Sequence, residues 1–183
     1  MANRYFIAIV PPEPLQSELM EWKNKIAMNY NSRGALRSPA HITLHMPFEM
    51  EGQKEKRFLS SAKELIMNSA PFIIQLKGFG GFEPRVIFID VEQNEKLIEI
   101  RDKTVEWMKT AFHIFNQSDD KRGFHPHITI GFRDLKKVSY YKALDEVQKF
   151  RMEKEFFCEN IEVLKFAQNK WETAMTIPLR KGK

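Results

Sequence analysis

Hydrophobic residues recur along this chain at two different spacings, which separate predicted strands from predicted helices. Short runs rich in β-branched and aromatic residues, several of them alternating with polar residues, predict strands. These runs occupy residues 4–10, 41–46, 72–79, 85–91, 126–132, 159–167 and 171–179. Apolar residues repeated every three or four positions predict amphipathic helices at residues 13–29, 54–68, 94–113 and 137–150.

The order of these predicted elements occurs twice. A strand, a helix, a strand with a His-x-Thr sequence, another helix and further strands fill residues 4–91, and the same order fills residues 85–179. The opening strands of the two copies are similar in sequence, RYFIAIV and RVIFIDV. Such a recurrence predicts two related lobes within one domain spanning residues 1–183. Chance similarity between short strands is the alternative explanation.

Each copy contains a strand on which histidine and threonine share a face. Alternate residues of a strand point to the same side, so Thr43 follows His41 on one face, and Thr129 follows His127 in the second copy. The two histidines are 86 positions apart. The same alternation adds further polar-face candidates to these pairs, namely His45, His125, Gly131 and Arg133.

Paired histidines and threonines suit the cleavage of a phosphodiester. One imidazole can activate water as a base while the other protonates the leaving oxygen, because histidine titrates near neutral pH. A threonine hydroxyl can donate to a phosphate oxygen, an arginine can stabilise charge on the equatorial oxygens, and Gly131 leaves room for a phosphate close to the backbone. The predicted catalytic residues are His41 and His127, and the predicted substrate-binding residues are Thr43, Thr129 and Arg133.

Other kinds of site have less support in the sequence. His41 with His45, or His125 with His127, can supply imidazole ligands to a metal, but neither strand carries an Asp or Glu on its polar face. Cys158 is the single cysteine and has no activating motif beside it. The sequence also lacks a glycine-rich phosphate-binding loop. We therefore expect a site that uses no metal and no cofactor.

Composition and charge describe the setting of this site. The chain has 183 residues, a net charge of +5 and a pI near 9.2, which favour an anionic partner such as RNA or a nucleotide. A single cysteine excludes an internal disulfide framework. There is no signal-peptide pattern and no apolar run of roughly 20 residues. The sequence thus predicts a cytoplasmic protein with no membrane contact. It indicates no obligate protein partner, is compatible with a monomer and does not give the oligomeric state.

Four segments carry a resemblance to a known family: RYFIAIVPP from residue 4, HITL at 41–44, RVIFIDV at 85–91 and FHPHITI at 124–130. In them the chain resembles the two-histidine (2H) phosphoesterase superfamily, specifically its bacterial 2′-5′ RNA ligase or RNA 2′,3′-cyclic phosphodiesterase branch. The resemblance runs from residue 4 to about residue 133. It implies an α+β fold of two pseudo-symmetric lobes, each an antiparallel sheet flanked by helices, which enclose a central cleft with both motifs.

The resemblance also implies a reaction. It implies metal-independent opening of a 2′,3′-cyclic phosphate at an RNA or oligonucleotide end to a 2′-phosphate, with 2′-5′ RNA ligation as the reverse process. His41 and His127 would be the catalytic pair, and the near-symmetry of the motifs leaves open which is the base. Members of this branch often have an arginine five positions after the second histidine, where this chain has Phe132, followed by Arg133.

Two other functions remain open from the sequence. The same chemistry can act on another substrate, such as ADP-ribose cyclic phosphate, a linear 2′-5′ oligonucleotide or a small cyclic nucleotide. Alternatively, the chain binds nucleotides or RNA without turning them over. Basic and aromatic residues that would form a rim for binding are Arg33, Arg37, Lys121, Arg122, Phe124 and Arg133. The presence of both complete motifs favours catalysis.

Overall fold

The computed structural model describes residues 2–62, 65, 69–116 and 123–180. The strands are β1 (Asn3–Ile9), β2 (Ile42–Met50), β3 (Phe72–Phe82), β4 (Val86–Val91), β5 (His127–Gly131), β6 (Glu153–Cys158), β7 (Asn160–Ala167) and β8 (Lys170–Pro178). The α-helices are α1 (Leu15–Tyr30), α2 (Gly52–Ser61), α3 (Glu95–Phe112) and α4 (Lys137–Val147), and a short 3₁₀ helix spans Gly34–Arg37. Over these residues, no helix has the length and apolarity needed to cross a membrane.

The strands pair antiparallel throughout, in the order β6-β3-β4-β5-β2-β1-β7-β8. The two His-x-Thr strands, β2 and β5, are neighbours at the centre, with four strands in each half of the sheet. The predicted α+β fold is confirmed. The two sheets expected from the family resemblance are the two halves of this one sheet, joined where β2 meets β5.

One half of the sheet combines the first two and the last two strands, whereas the other half consists of the four strands between them in sequence. β7 and β8 extend the half that begins with β2 and β1, whereas β3 and β6 extend the half that begins with β5 and β4. Strands that the sequence pairs as repeats, such as β1 with β4, therefore occupy matching places on either side of the centre. The internal repeat itself stays a prediction.

One observed strand is not predicted from the sequence, and several predicted elements have different bounds in the structure. The sequence does not predict β6, because this edge strand beside β3 exposes most of its side chains and lacks a clear apolar pattern. The predicted strand 41–46 is longer in the structure, where β2 continues to Met50. The predicted helix 54–68 is observed as α2, and residues 63, 64 and 66–68 lie outside the described residues.

Helices cover one face of the sheet and form the main core against it. Helix α1 packs on β5, α3 packs on β2, and α4 packs on β3 and β4. In β1 the alternation of side chains separates the two faces: Tyr5, Ile7 and Ile9 lie in the main core, whereas Phe6 and Ala8 join a smaller cluster on the opposite face. That opposite face is where the site is built.

An aromatic cluster fastens α2 and α3 to the sheet. The ring of Phe58 on α2 is fully buried and contacts four other rings. These rings belong to Tyr5, Phe48, Trp107 and Phe112. Burial of this kind is the main source of stability in a domain of this size.

Replacing Phe58 by alanine should lower the free energy of unfolding by about 3–5 kcal/mol, because the change leaves a cavity between two helices and the sheet. The matched control is Phe157→Ala, at a side chain that is 51% exposed on β6. There we expect a loss of about 0.5 kcal/mol or less. Urea unfolding followed by circular dichroism measures both values, and equal losses in the two variants would contradict this account of the core.

Candidate active site

The two His-x-Thr sequences meet at the centre of the sheet, where β2 pairs with β5. The partners across this pair are Ile42 and Ile128, and both are fully buried in the main core. The residues before and after each isoleucine point to the opposite face, and the antiparallel register places each histidine across from the threonine of the other strand. The four residues brought together in this way are His41, Thr43, His127 and Thr129.

Each of the two histidines is held by an equivalent hydrogen bond from Nδ1 to a main-chain carbonyl oxygen. Nδ1 of His41 lies 2.8 Å from the carbonyl oxygen of Pro39, and Nδ1 of His127 lies 2.8 Å from that of His125. A carbonyl oxygen only accepts hydrogen bonds, so Nδ1 carries the proton in each ring. In the neutral imidazole, Nε2 is then left with a lone pair that can exchange a proton with a ligand.

An aromatic side chain from the adjacent strand supports each imidazole. The ring of Phe6 on β1 lies 4.7 Å from the ring of His41, and the ring of Phe88 on β4 lies 5.0 Å from that of His127. Phe82 on β3 also contacts His127, with 5.0 Å between ring centroids. These contacts restrict rotation of the imidazoles and remove one side of each ring from water.

Burial lowers the pKa of both histidines. The pKa of His41 falls to about 3, chiefly by burial, and the positive charge of Lys23 and repulsion from His127 add to this effect. Burial also lowers the pKa of His127, although the carbonyl of His125 and the carboxylate of Asp90 act in the other direction. Both imidazoles are therefore neutral at pH 7 before a ligand binds.

A β-bulge follows each His-x-Thr sequence at the same position. In β2, Thr43 pairs with Ala8 but His45 pairs with Ile7, so Leu44 is the extra residue. In β5, Thr129 pairs with Phe88 but Gly131 pairs with Ile87, so Ile130 is the extra residue. A bulge of one residue reverses the side to which the following side chain points.

The predictions that placed His45 and Gly131 on the polar face are wrong for this reason. The side chain of His45 is 1% exposed, packs against Phe48, and has its Nδ1 2.8 Å from the carbonyl oxygen of Met46. A Cβ on Gly131 would lie 3.3 Å from Ile26 of α1, so this glycine faces the core rather than a phosphate. Its lack of a side chain allows α1 to approach the sheet closely.

Arg133 and His125 lie at the ends of β5. The strand stops at Gly131, and Arg133 occupies the turn beyond it, with its guanidinium 5.5 Å from the centre of the Phe132 ring. The strand alternation that predicted its direction does not reach this turn, so its role in phosphate binding stays a prediction. His125 is exposed just before β5, and its Nε2 lies 3.1 Å from Oδ1 of Asp90.

Sequence reasoning missed Asp90, which lies across from His127 in the pairing of β4 with β5. The signal was present, because Asp90 is the one charged residue in the otherwise apolar run VIFIDV at 86–91. An isolated charge in an apolar strand commonly marks a site. What the sequence did not contain was the pairing that brings this carboxylate to the second histidine.

The structure describes some of the residues of the basic rim that the sequence predicts. Lys121 and Arg122 lie outside the described residues. Arg33 immediately precedes the 3₁₀ helix and Arg37 ends it, in the loop that leads to His41. Phe124 packs against the main core and is only partly exposed.

The structure also bears on two alternative kinds of site, a metal site and a cysteine nucleophile. In the described part of the chain, no group of three or more His, Cys, Asp and Glu side chains is arranged to hold a metal ion. Cys158 is buried, and burial raises the pKa of its thiol to about 12. This cysteine therefore stays protonated at neutral pH and is not an activated nucleophile.

An antiparallel sheet with two His-x-Thr strands paired at its centre defines a two-histidine phosphoesterase. The family model for the 2′-5′ RNA ligase superfamily matches residues 11–170, and the chain belongs to this superfamily. The resemblance drawn from the motifs is thus confirmed. Membership supports phosphoesterase activity for this protein.

Relatives of similar length are found in several bacteria. A protein of Geobacillus sp. strain WCH70, named as an inferred phosphoesterase, is 30% identical over 162 residues, which cover 87% of this chain and 84% of the relative. A protein of Oceanobacillus iheyensis with the same kind of name is 26% identical over 181 residues, or 96% of this chain and 98% of the relative.

Solved structures share the fold. LigT of E. coli, in complex with 3′-AMP, is similar with a TM-score of 0.74 at 20% sequence identity, over 99% of this chain and 100% of LigT. TT0787 of Thermus thermophilus is similar with a TM-score of 0.69 at 19% identity, over 98% of this chain and 100% of that protein. At such identities the likeness is one of fold.

The hydrogen bonds and the burial of the site predict the state of its imidazoles. We expect His41 and His127 to carry the proton on Nδ1 at pH 7 and to gain a second proton only below about pH 6.5. Long-range ¹H–¹⁵N NMR between about pH 4 and 8, assigned with His41→Gln and His127→Gln, measures both properties. A proton on Nε2, or a titration midpoint of about 6.5 or above in either ring, would contradict this description.

Proposed function

We propose that this protein is a metal-independent phosphodiesterase that opens a 2′,3′-cyclic phosphate at the end of RNA or an oligonucleotide to give a 2′-phosphate. The observation that carries the proposal is the pairing of two alike imidazoles, each fixed through Nδ1 to a carbonyl oxygen. Their Nε2 atoms keep a lone pair for proton transfer on the face of the sheet that also presents two threonine hydroxyls. A reaction needing one base and one acid fits this arrangement.

The reaction follows from the chemistry of these groups. One imidazole takes a proton from water through Nε2 while the water oxygen bonds to phosphorus. The bond between phosphorus and the ribose 3′ oxygen breaks, and the second imidazole, as imidazolium, protonates that oxygen. The hydroxyls of Thr43 and Thr129 donate to the non-bridging phosphate oxygens and hold phosphorus between the rings. A ribose 5′-hydroxyl in place of water gives a 2′-5′ linkage by the same displacement.

Binding of the substrate prepares the acid. The pKa values of both imidazoles are lowered, so neither is protonated at pH 7. A phosphodiester carries a negative charge, and an anion beside an imidazole favours its charged form. The substrate therefore brings the electrostatic condition under which one histidine takes up the proton that it later donates.

An aromatic strip beside His41 supports a nucleotide as the substrate. It consists of Phe6, Trp171 and Phe166. The ring centroids of Phe6 and Trp171 are 4.7 Å apart, and those of Trp171 and Phe166 are 5.1 Å apart. The guanidinium of Arg4 lies 5.2 Å from the Phe166 ring and 5.6 Å from the Trp171 ring. Phe6 is buried, whereas Trp171 and Phe166 are partly exposed, and exposed aromatic rings next to a phosphate site are suited to stacking with a base. The 3′-AMP held by LigT is a ligand of this kind.

The direct test is hydrolysis of a nucleoside 2′,3′-cyclic monophosphate and of a short RNA with that end, both in EDTA. We expect turnover to the 2′-phosphate, identified by ³¹P NMR, and a loss of about 100- to 10,000-fold in kcat for His41→Ala and for His127→Ala. His113→Asn is the matched control, because His113 is exposed at the end of α3 in a left-handed conformation that asparagine tolerates.

The outcomes separate the alternative functions. Tight binding of RNA without turnover would favour a binding module. Turnover of ADP-ribose cyclic phosphate in preference to RNA ends would keep the chemistry and change the substrate. Hydrolysis that survives both histidine substitutions would show that the reaction takes place elsewhere.

The aromatic strip predicts the effect of Trp171→Ala. We expect the KM for a nucleoside cyclic phosphate to rise roughly tenfold, because stacking with one base is lost, while kcat changes little. Ribose 2′,3′-cyclic phosphate, which has no base, should have the same KM in wild type and variant. Steady-state kinetics on both compounds test this, and an equal rise in KM for the two would assign Trp171 to the fold of the β7–β8 hairpin instead.

A further inference from the structure

A buried lysine lies behind the first histidine. Lys23 of α1 is 1% exposed, and its Nζ donates to three main-chain carbonyl oxygens. The acceptors belong to Ala35, Ser38 and Pro39, at 3.0, 3.0 and 2.9 Å. The loop between α1 and β2 is therefore gathered around a single ammonium group, and every partner that the described residues supply to it is a carbonyl oxygen.

Lys23 occupies a buried position on α1 where an apolar residue is expected. Leu15, Leu19 and Ile26 are the neighbouring buried residues of α1, and Lys23 continues their helical spacing into the core. A leucine or methionine there would continue the apolar row without the cost of burying a charge. Burial lowers the pKa of Lys23 to about 7, and the three carbonyl dipoles replace the water that the ammonium group would otherwise bind.

One of the three carbonyls links Lys23 to the site. The oxygen of Pro39 accepts hydrogen bonds from both Nζ of Lys23, at 2.9 Å, and Nδ1 of His41, at 2.8 Å. The direction of this carbonyl decides which ring nitrogen of His41 holds the proton and where Nε2 points. Lys23 thus lies one hydrogen bond away from the group that orients the imidazole.

The second histidine has a different group behind it. The carbonyl oxygen that holds His127 belongs to His125, whose own side chain pairs with Asp90. A cation therefore lies behind His41 and a carboxylate lies near His127. The two imidazoles share one local bond and differ in the groups that surround it.

The loop also has a second anchor that does not involve Lys23. Asp134 accepts hydrogen bonds from the backbone N–H groups of Arg33 and Gly34, at 2.7 and 2.8 Å, and from the hydroxyl of Ser32, at 2.8 Å. This anchor holds the start of the loop against the turn after β5. Loss of Lys23 would remove its hydrogen bonds to the carbonyls of Ala35, Ser38 and Pro39 and leave the start of the loop in place.

We propose that Lys23 is a positioning residue for His41: by holding the carbonyls of the α1–β2 loop, it fixes the Pro39 oxygen that sets the tautomer and direction of the imidazole. Its effect on turnover rests on the proposed function. Its effect on the imidazole does not, and the two can be measured separately.

The test is Lys23→Met in the full chain, since methionine fills a similar volume without donors or charge. We expect kcat for the cyclic phosphate to fall about 10- to 100-fold, because the imidazole of His41 is displaced. The KM should stay within about twofold of the wild-type value, because the contacts to the phosphate remain. In ¹H–¹⁵N NMR spectra of the free protein, the His41 ring should lose its single Nδ1–H tautomer and titrate at higher pH, while the signals of His127 stay unchanged.

Two further variants make the result decisive. Lys25→Met is the matched control, because Lys25 lies on the same helix with its side chain partly exposed and paired to Glu146 at 3.2 Å. It should leave kcat and the His41 signals as in wild type. Lys23→Gln keeps N–H donors without the charge and should restore part of the Nδ1–H signal.

Several outcomes would overturn the proposal. A folded Lys23→Met variant with wild-type His41 spectra, or one in which His41 and His127 change alike, would show that Lys23 does not act on the first histidine. Unfolding of both the Met and the Gln variants in the cold would assign the lysine to stability alone. If the wild-type protein turns over no cyclic phosphate, the proposed function fails, and the NMR comparison still decides the role of Lys23.

Discussion

Antiparallel pairing between β2 and β5, through Ile42 and Ile128, joins the two halves of the sheet and brings the two histidines together. The register of this pair also sets the faces. With both isoleucines in the core, the histidine and threonine of each strand point to the opposite side. A slip by one residue in either strand would turn its histidine into the core and its isoleucine outwards. The burial of two apolar side chains thereby fixes the arrangement of four polar ones.

The two halves of the sheet hold their histidines in the same way, and they differ in the groups that lie behind the histidines. Each imidazole bonds through Nδ1 to the carbonyl two residues earlier and packs against a phenylalanine of the adjacent strand. Behind these bonds lie Lys23 on one side and the pair of Asp90 and His125 on the other. Symmetric strands thus provide matched groups, and the less symmetric loops and helices give each group its own electrostatic surroundings.

Features that depend on local alternation could be predicted from the sequence. The histidine and threonine pairs, most strands and the four helices follow from spacing alone, because a buried face repeats at fixed intervals. Features that depend on contacts between distant segments could not. The bulges that turn His45 and Gly131 into the core arise from the pairing of neighbouring strands, and the meeting of Asp90 with His127 requires the register of β4 on β5. Helical spacing is enough to place Lys23 on the core side of α1. Its acceptors could not be predicted, because they belong to a loop without a repeating pattern of apolar residues.

One half of the sheet lies in sequence between the strands of the other half, and this order has a consequence for biosynthesis. β1 lies between β2 and β7, and β7 begins at Asn160, far along the chain. A nascent chain without β7 and β8 therefore presents β1 as an open edge whose N–H and carbonyl groups have no partner on one side. Contacts of such long sequence separation form slowly. Completion of the sheet, and with it the floor beneath the first histidine, therefore requires that β7 and β8 have already been synthesised.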